Sequence, residues 1–119
     1  MEQALWMDAR YKQSRDSILI IYKDESMKTD KLIIEILGLP QTYHKEFVCT
    51  DPLAKNEKRD ENCPDFVATV IKIDSEPKYG WESIPVVFFV EHQEFGKITM
   101  KTEIYGDNDP KPRIIYSPT

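Results

Sequence analysis

SMKTDKLIIEILGLP, residues 26–40, is the stretch on which the fold class turns. Ile33, Ile34 and Ile36 are β-branched and favour a strand. Against them, Gly38 followed by Pro40 is a helix-stop signal, and Asp30 suits a first helical turn, where a carboxylate meets the positive end of the dipole. The boundary signals predict a helix over roughly residues 28–37. Upstream, residues 2–14 predict another. Ala4, Leu5, Met7, Ala9 and Lys12 are compatible with helix, and Ala4, Leu5, Asp8 and Tyr11 fall on one side at spacings of three and four. Between the two, Ser17 to Lys23 (SILIIYK) is an apolar run of strand length with three isoleucines, which predicts a buried strand.

Beyond residue 40 the chain reads as β. Lys45 to Thr50 (KEFVCT) is a short strand candidate, and Phe66 to Asp74 (FVATVIKID) a longer one. Residues 75–83 (SEPKYGWES) form a connection containing Pro77 and Gly80. Ile84 to Gln93 (IPVVFFVEHQ) and Lys97 to Tyr105 (KITMKTEIY) form a hairpin around Glu94-Phe95-Gly96, and Arg113 to Tyr116 (RIIY) adds a last short strand. The expected fold is therefore α+β: one globular domain over residues 1–119, with a mainly antiparallel sheet of about 4–6 strands. The N-terminal helix and the helix near 28–37 would pack on one face of that sheet.

The hairpin admits a register argument. A three-residue loop commonly ends in a left-handed glycine, a role that suits Gly96. Gln93 then pairs with Lys97, His92 with Ile98, Val90 with Met100, Phe88 with Thr102 and Val86 with Ile104. That face is almost wholly apolar. The other carries Gln93/Lys97, Glu91/Thr99, Phe89/Lys101 and Val87/Glu103. A two-residue loop would set Val90 against Lys101 and exchange the faces of the whole strand. The outer face turns apolar at Val87 and Phe89, so a cover is expected there. That cover is a helix of this chain, a partner or, in a homo-oligomer, another copy.

The two cysteines bracket CTDPLAKNEKRDENC (Cys49 to Cys63), with seven charges among the thirteen residues between them. No C-x-x-C pair is present, and His44 and His92 do not complete a familiar zinc spacing, so no metal is expected. A disulfide would close a loop worth ~3 kcal/mol, but a cytosolic reading opposes it, and two reduced thiols are expected. Glu91-His92-Gln93-Glu94 has catalytic residue types, yet alternation puts Glu91 on the face opposite His92. A histidine at the rim of the core with a hydrogen-bond partner is the simpler account. His44, in the polar QTYHKE, is expected to be exposed. Asp107-Asn108-Asp109 fails the EF-hand pattern at Lys111 and Pro112, and is better read as a turn.

The formal charge of −5 argues against nucleic acid. The densest basic group, Lys55, Lys58 and Arg59, is surrounded by Asp51, Glu57, Asp60 and Glu61. No stretch has the ~18 apolar residues of a membrane span, and the N-terminus lacks the pattern of a secretory signal, so a cytoplasmic location is expected. No cofactor is expected either, because phosphate-cradling glycine motifs are missing. The leading reading is a small acidic protein-binding domain that covers a partner: an inhibitor, an immunity or antidote protein, or an adaptor. The partner would be another protein of basic charge, such as a nuclease. The contact residues would be Tyr79, Trp81, Glu57, Asp60, Glu61 and Phe89, aromatic anchors and carboxylates. The alternative is a small ligand-binding or enzymatic domain with a pocket near His92, drawing on Glu94, Tyr105 and Cys49.

Overall fold

A computed structural model describes residues 5–11, 17–39, 41–49, 63–73, 84–106 and 114–116, and the architecture below is that of these residues. In β1 (Leu5–Tyr11), Leu5, Met7 and Ala9 are fully buried while Trp6, Asp8 and Arg10 take the opposite face. That is a period of two, the mark of a strand. The strand pairs with β2 (Ser17–Asp24) from Leu5 opposite Asp24 to Tyr11 opposite Ile18. The expected N-terminal helix is therefore corrected over residues 5–11. Leu, Met and Ala gain only tenths of a kcal/mol each from helix propensity, whereas burying a Leu or Met side chain contributes about 1.5–3 kcal/mol.

The same correction applies to the stretch at residues 28–37. It is β3 (Thr29–Ile36), with Leu32, Ile34 and Ile36 fully buried and Lys31, Ile33 and Glu35 on the other face. The β-branched residues decide it, and Gly38, at φ 86°, makes the bend after a strand rather than the end of a helix. Among the described residues there is no helix, so the α+β class gives way to two sheets.

The remaining elements are β4 (Tyr43–Val48), β5 (Phe66–Lys72), β6 (Pro85–His92), β7 (Gly96–Glu103), β8 (Tyr105–Gly106) and β9 (Ile114–Tyr116). In the first sheet β5 pairs β2 and β2 pairs β1. The far edge of β1 is shared: β8 runs parallel to it at Arg10 and Tyr11, and β9 antiparallel to it at Leu5 to Met7. The second sheet has the order β4-β3-β6-β7, antiparallel throughout. The inner faces close on one core: Ile18, Ile20 and Tyr22 from the first sheet meet Leu32, Ile34, Phe88 and Val90 from the second. The Tyr22 and Phe88 rings bridge the two sheets with centroids 6.3 Å apart. This is a β-sandwich.

The hairpin β6–β7 keeps the expected faces in a different register. His92 pairs with Gly96, Val90 with Ile98 and Phe88 with Met100, two residues away from the expected pairing. A shift of two leaves every side chain on its face. The observed register sets Glu91 opposite Lys97 and gives Phe88 an apolar partner in place of Thr102, both favourable cross-strand pairs. Gly96 is left-handed at φ 75°, as the turn requires.

Cys49 and Cys63 are joined by a disulfide, which corrects the expectation of two reduced thiols. Both are buried. The backbone places them as neighbours: Cys49 N–H donates to Asp30 O (2.8 Å), continuing the β3–β4 pairing, and Cys63 lies just ahead of β5.

Met27, in the turn between β2 and β3, is a non-glycine residue in the left-handed region (φ 57°) and is exposed. A side chain there costs about 1–2 kcal/mol, part of which glycine returns as chain entropy. Met27→Gly is expected to raise stability by about 0.5–1 kcal/mol, seen as a higher urea midpoint at unchanged slope.

Candidate functional site

The densest polar cluster among the described residues lies where the chain leaves one sheet for the other. β2 ends at Asp24, and Glu25 to Lys28 carry the backbone across to Thr29 at the head of β3. An Asp two residues before a Ser readily folds the chain back on its carboxylate. Asp24 Oδ1 accepts from Ser26 N–H (2.8 Å) and Ser26 Oγ (2.5 Å). Asp24 Oδ2 accepts from Lys28 N–H (2.9 Å), Thr29 Oγ1 (2.6 Å) and His92 Nε2 (3.1 Å). Burial pushes hardest on this carboxyl, toward protonation. The bonds from Ser26, Thr29 and Lys28 and the nearby His92 overcome that push and hold it below the usual aspartate range.

The network continues on both sides. Because the Thr29 hydroxyl donates to Asp24, Tyr22 Oη donates to Thr29 Oγ1 (2.9 Å). Burial raises the Tyr22 phenol far above its ordinary value, so it stays a donor. Asp65, just before β5, accepts from Thr29 N–H through Oδ1 (3.1 Å), and its carbonyl accepts from Asp24 N–H (2.7 Å). His92 Nδ1 accepts two backbone bonds, from Glu94 and Phe95 N–H at 3.1 Å each. Its proton therefore sits on Nε2 and is shared between Asp24 and Ser26 Oγ (3.0 Å). Phe95 lies flat on the imidazole, with centroids 4.4 Å apart.

Ser26, His92 and Asp24 have the composition of a hydrolytic triad, but the atoms are wired differently. A triad places serine and aspartate on opposite nitrogens of the imidazole, so that the serine loses its proton to the ring. Here both contact Nε2, the Nδ1 lone pair is taken by backbone, and Ser26 gives its own proton to Asp24. The His92 side chain is also fully buried. This arrangement fastens β2, β3, β5 and β6 together at one end of the sandwich. The expected rim histidine with a partner is thus found, in a closed setting rather than in a pocket.

The other residues named for the enzymatic alternative do not join it. Glu94 turns out to Lys28 (3.1 Å), and Cys49 is in the disulfide. Tyr105 lies in β8, in the other sheet from His92. Exposed His44 faces Glu35 at 2.9 Å. Among the described residues no group of three or more His, Cys, Asp or Glu could hold a metal ion, and no helix is long and apolar enough to cross a membrane.

Of the expected contact residues, Phe89 lies on the outer face of the second sheet and is 36% exposed. Tyr79, Trp81, Glu57, Asp60 and Glu61 lie outside the described residues. On that face the register sets Ile33, Phe89 and Thr99 in one row, Lys31, Glu91 and Lys97 in the next, and Glu35, Val87 and Lys101 on the other side. Lys31 reaches Glu46 at 3.5 Å. Val87 itself is buried, so of this apolar pair Phe89 is the accessible member. No family model, curated protein or solved structure matches the chain.

Sequence reasoning missed Asp24, Ser26 and Thr29, although the Asp-x-Ser spacing was a usable turn signal. It also missed the outer face of the first sheet, where Phe66 and Val70 are 64% and 61% exposed. Their alternation with buried Val67 was visible in FVATVIK.

Proposed function

We propose that the chain is a protein-binding β-sandwich that covers a partner protein with the outer face of its second sheet, as an inhibitor, an immunity or antidote protein, or an adaptor does. The observation that carries this reading is Phe89: an accessible aromatic in the middle of a face bordered by Lys31, Glu35, Glu91, Lys97 and Lys101. An apolar centre inside a charged rim is the anatomy of a protein interface. The net charge of −5 and the carboxylates at Glu57, Asp60 and Glu61 favour a partner of basic charge, reached quickly by electrostatic steering. Tyr79 and Trp81 would add aromatic anchors. The disulfide suits an oxidising compartment and counts against a cytoplasmic one.

The test is affinity capture with the intact chain, followed by titration of the captured protein. Phe89→Ala is expected to weaken binding by about 2 kcal/mol, close to thirtyfold. Trp81→Ala, and the triple change of Glu57, Asp60 and Glu61 to lysine, should weaken it as well. Undiminished binding in all three variants would sink the proposal.

A further inference from the structure

The three described sheet edges with long strands are not equally protected. β4 carries His44, Lys45 and Glu46, and β7 carries Lys97, Lys101 and Glu103. Charges of this kind discourage edge-to-edge pairing. β5 reads FVATVIK, with its single charge at the last residue. Among the described residues β5 pairs only with β2.

The side of β5 turned away from β2 can be assigned atom by atom. Asp65, opposite Asp24 just before the strand, turns its carbonyl to β2. Antiparallel backbones alternate, so Val67, Thr69 and Ile71 also turn to β2, and Phe66, Ala68, Val70 and Lys72 turn their N–H and C=O groups to the open edge. The side chains of these same residues lie on the outer face, where Phe66, Ala68 and Val70 adjoin Lys23, Ile21 and Leu19 of β2. Backbone groups with no partner strand among the described residues and exposed apolar side chains thus coincide on one strand.

We infer that two copies of this chain pair antiparallel along β5, making one continuous sheet from their two first sheets. The strand is complementary to itself. Centred on Ala68, the pairing sets Phe66 against Val70 of the other copy, an aromatic opposite a β-branched residue. The small Ala68 meets its own counterpart on the two-fold axis. All three outward N–H groups of Phe66, Ala68 and Val70 find acceptors in each copy. The row from Leu19 through Val70 then continues into Phe66 of the other copy, and the row from Ile21 through Ala68 into its own image. Moving the centre to Thr69 would set Phe66 against Lys72 and lose that continuity. The chain carries −5 overall, yet β5 contains no carboxylate, so copies meet here without bringing acidic groups together. The second sheet, with Phe89, is left outward on both copies.

The intact, oxidised chain is examined by sedimentation velocity over a wide concentration range, beside Phe66→Lys and Val70→Lys. Both positions are largely exposed, so the variants should fold, which thermal unfolding checks. A concentration-dependent dimer is expected, with its dissociation constant raised about 100-fold or more by either lysine, since each buries an unpaired charge. Amide exchange at Phe66, Ala68 and Val70 should slow as the dimer forms. Phe89→Ala should leave the dimer unchanged, which separates this result from the fate of the partner-binding face. A monomer at every concentration, or a dimer indifferent to both lysines, overturns the inference. So does slow exchange at these three amides in the monomer, which would mean that another segment of the same chain already covers the edge.

Discussion

Replacing Asp24 by alanine is expected to destabilise the protein by about 3–5 kcal/mol, read from the urea midpoint. The carboxylate is the common acceptor of Ser26, Lys28 N–H, Thr29 and His92, and its side chain is fully buried. Alanine takes the acceptor away from Thr29 and His92, which are both buried, and each unsatisfied buried donor costs about 1–3 kcal/mol. Asp24→Asn keeps the shape but sets an NH₂ group among donors, so it should recover little. A loss below about 1 kcal/mol in both variants would show that the network contributes little to stability.

The same carboxylate gives a sign for pH. Its folded value lies below the ordinary one, so its charge is favoured by folding. The stability it contributes is complete above the unfolded aspartate value of about 4 and is lost as pH falls through the lower, folded value. The wild-type urea midpoint should therefore fall below about pH 4, and Asp24→Asn should flatten that fall.

The second large effect is expected at the disulfide. Changing Cys49 and Cys63 together to serine should cost about 3 kcal/mol, because the bond closes a chain segment of sequence separation 14 that is otherwise free in the unfolded state. The double change avoids leaving one unpaired thiol. A thiol titration under denaturing but non-reducing conditions should find none in the wild type. Two titratable thiols, or an unchanged midpoint in the double variant, would remove the bond from the account of stability.

What could be read from the sequence follows from how local each signal was. The faces of residues 85–103 were legible because alternation and one turn glycine fix them within a short span, and even a two-residue error in register left the faces intact. Residues 5–11 and 29–36 were misread because Leu, Met, Ala, Gly38 and Pro40 are weak local signals. Their strands are decided by what they pair with, β2 in one case and β6 in the other. The Asp24 network was illegible for a related reason: Ser26 and His92 meet across 66 residues, and no spacing rule relates them. Phe66 and Val70 were visible as alternating residues, but their exposure depends on β5 lying at the end of its sheet.

The pairing of β3 has a consequence for how fast the chain can fold. Its neighbour β4 follows within a short turn, but its other neighbour, β6, begins about fifty residues further on, and β2 likewise waits for β5. The hairpins β1–β2, β3–β4 and β6–β7 can each close in microseconds, whereas the two distant pairings must close long loops before any contact rewards them. Refolding should accordingly take milliseconds to seconds, with the hairpins assembled first. Asp24 and His92, on strands that meet last, would then be joined only as the two sheets dock, so mutations there should speed unfolding far more than they slow folding.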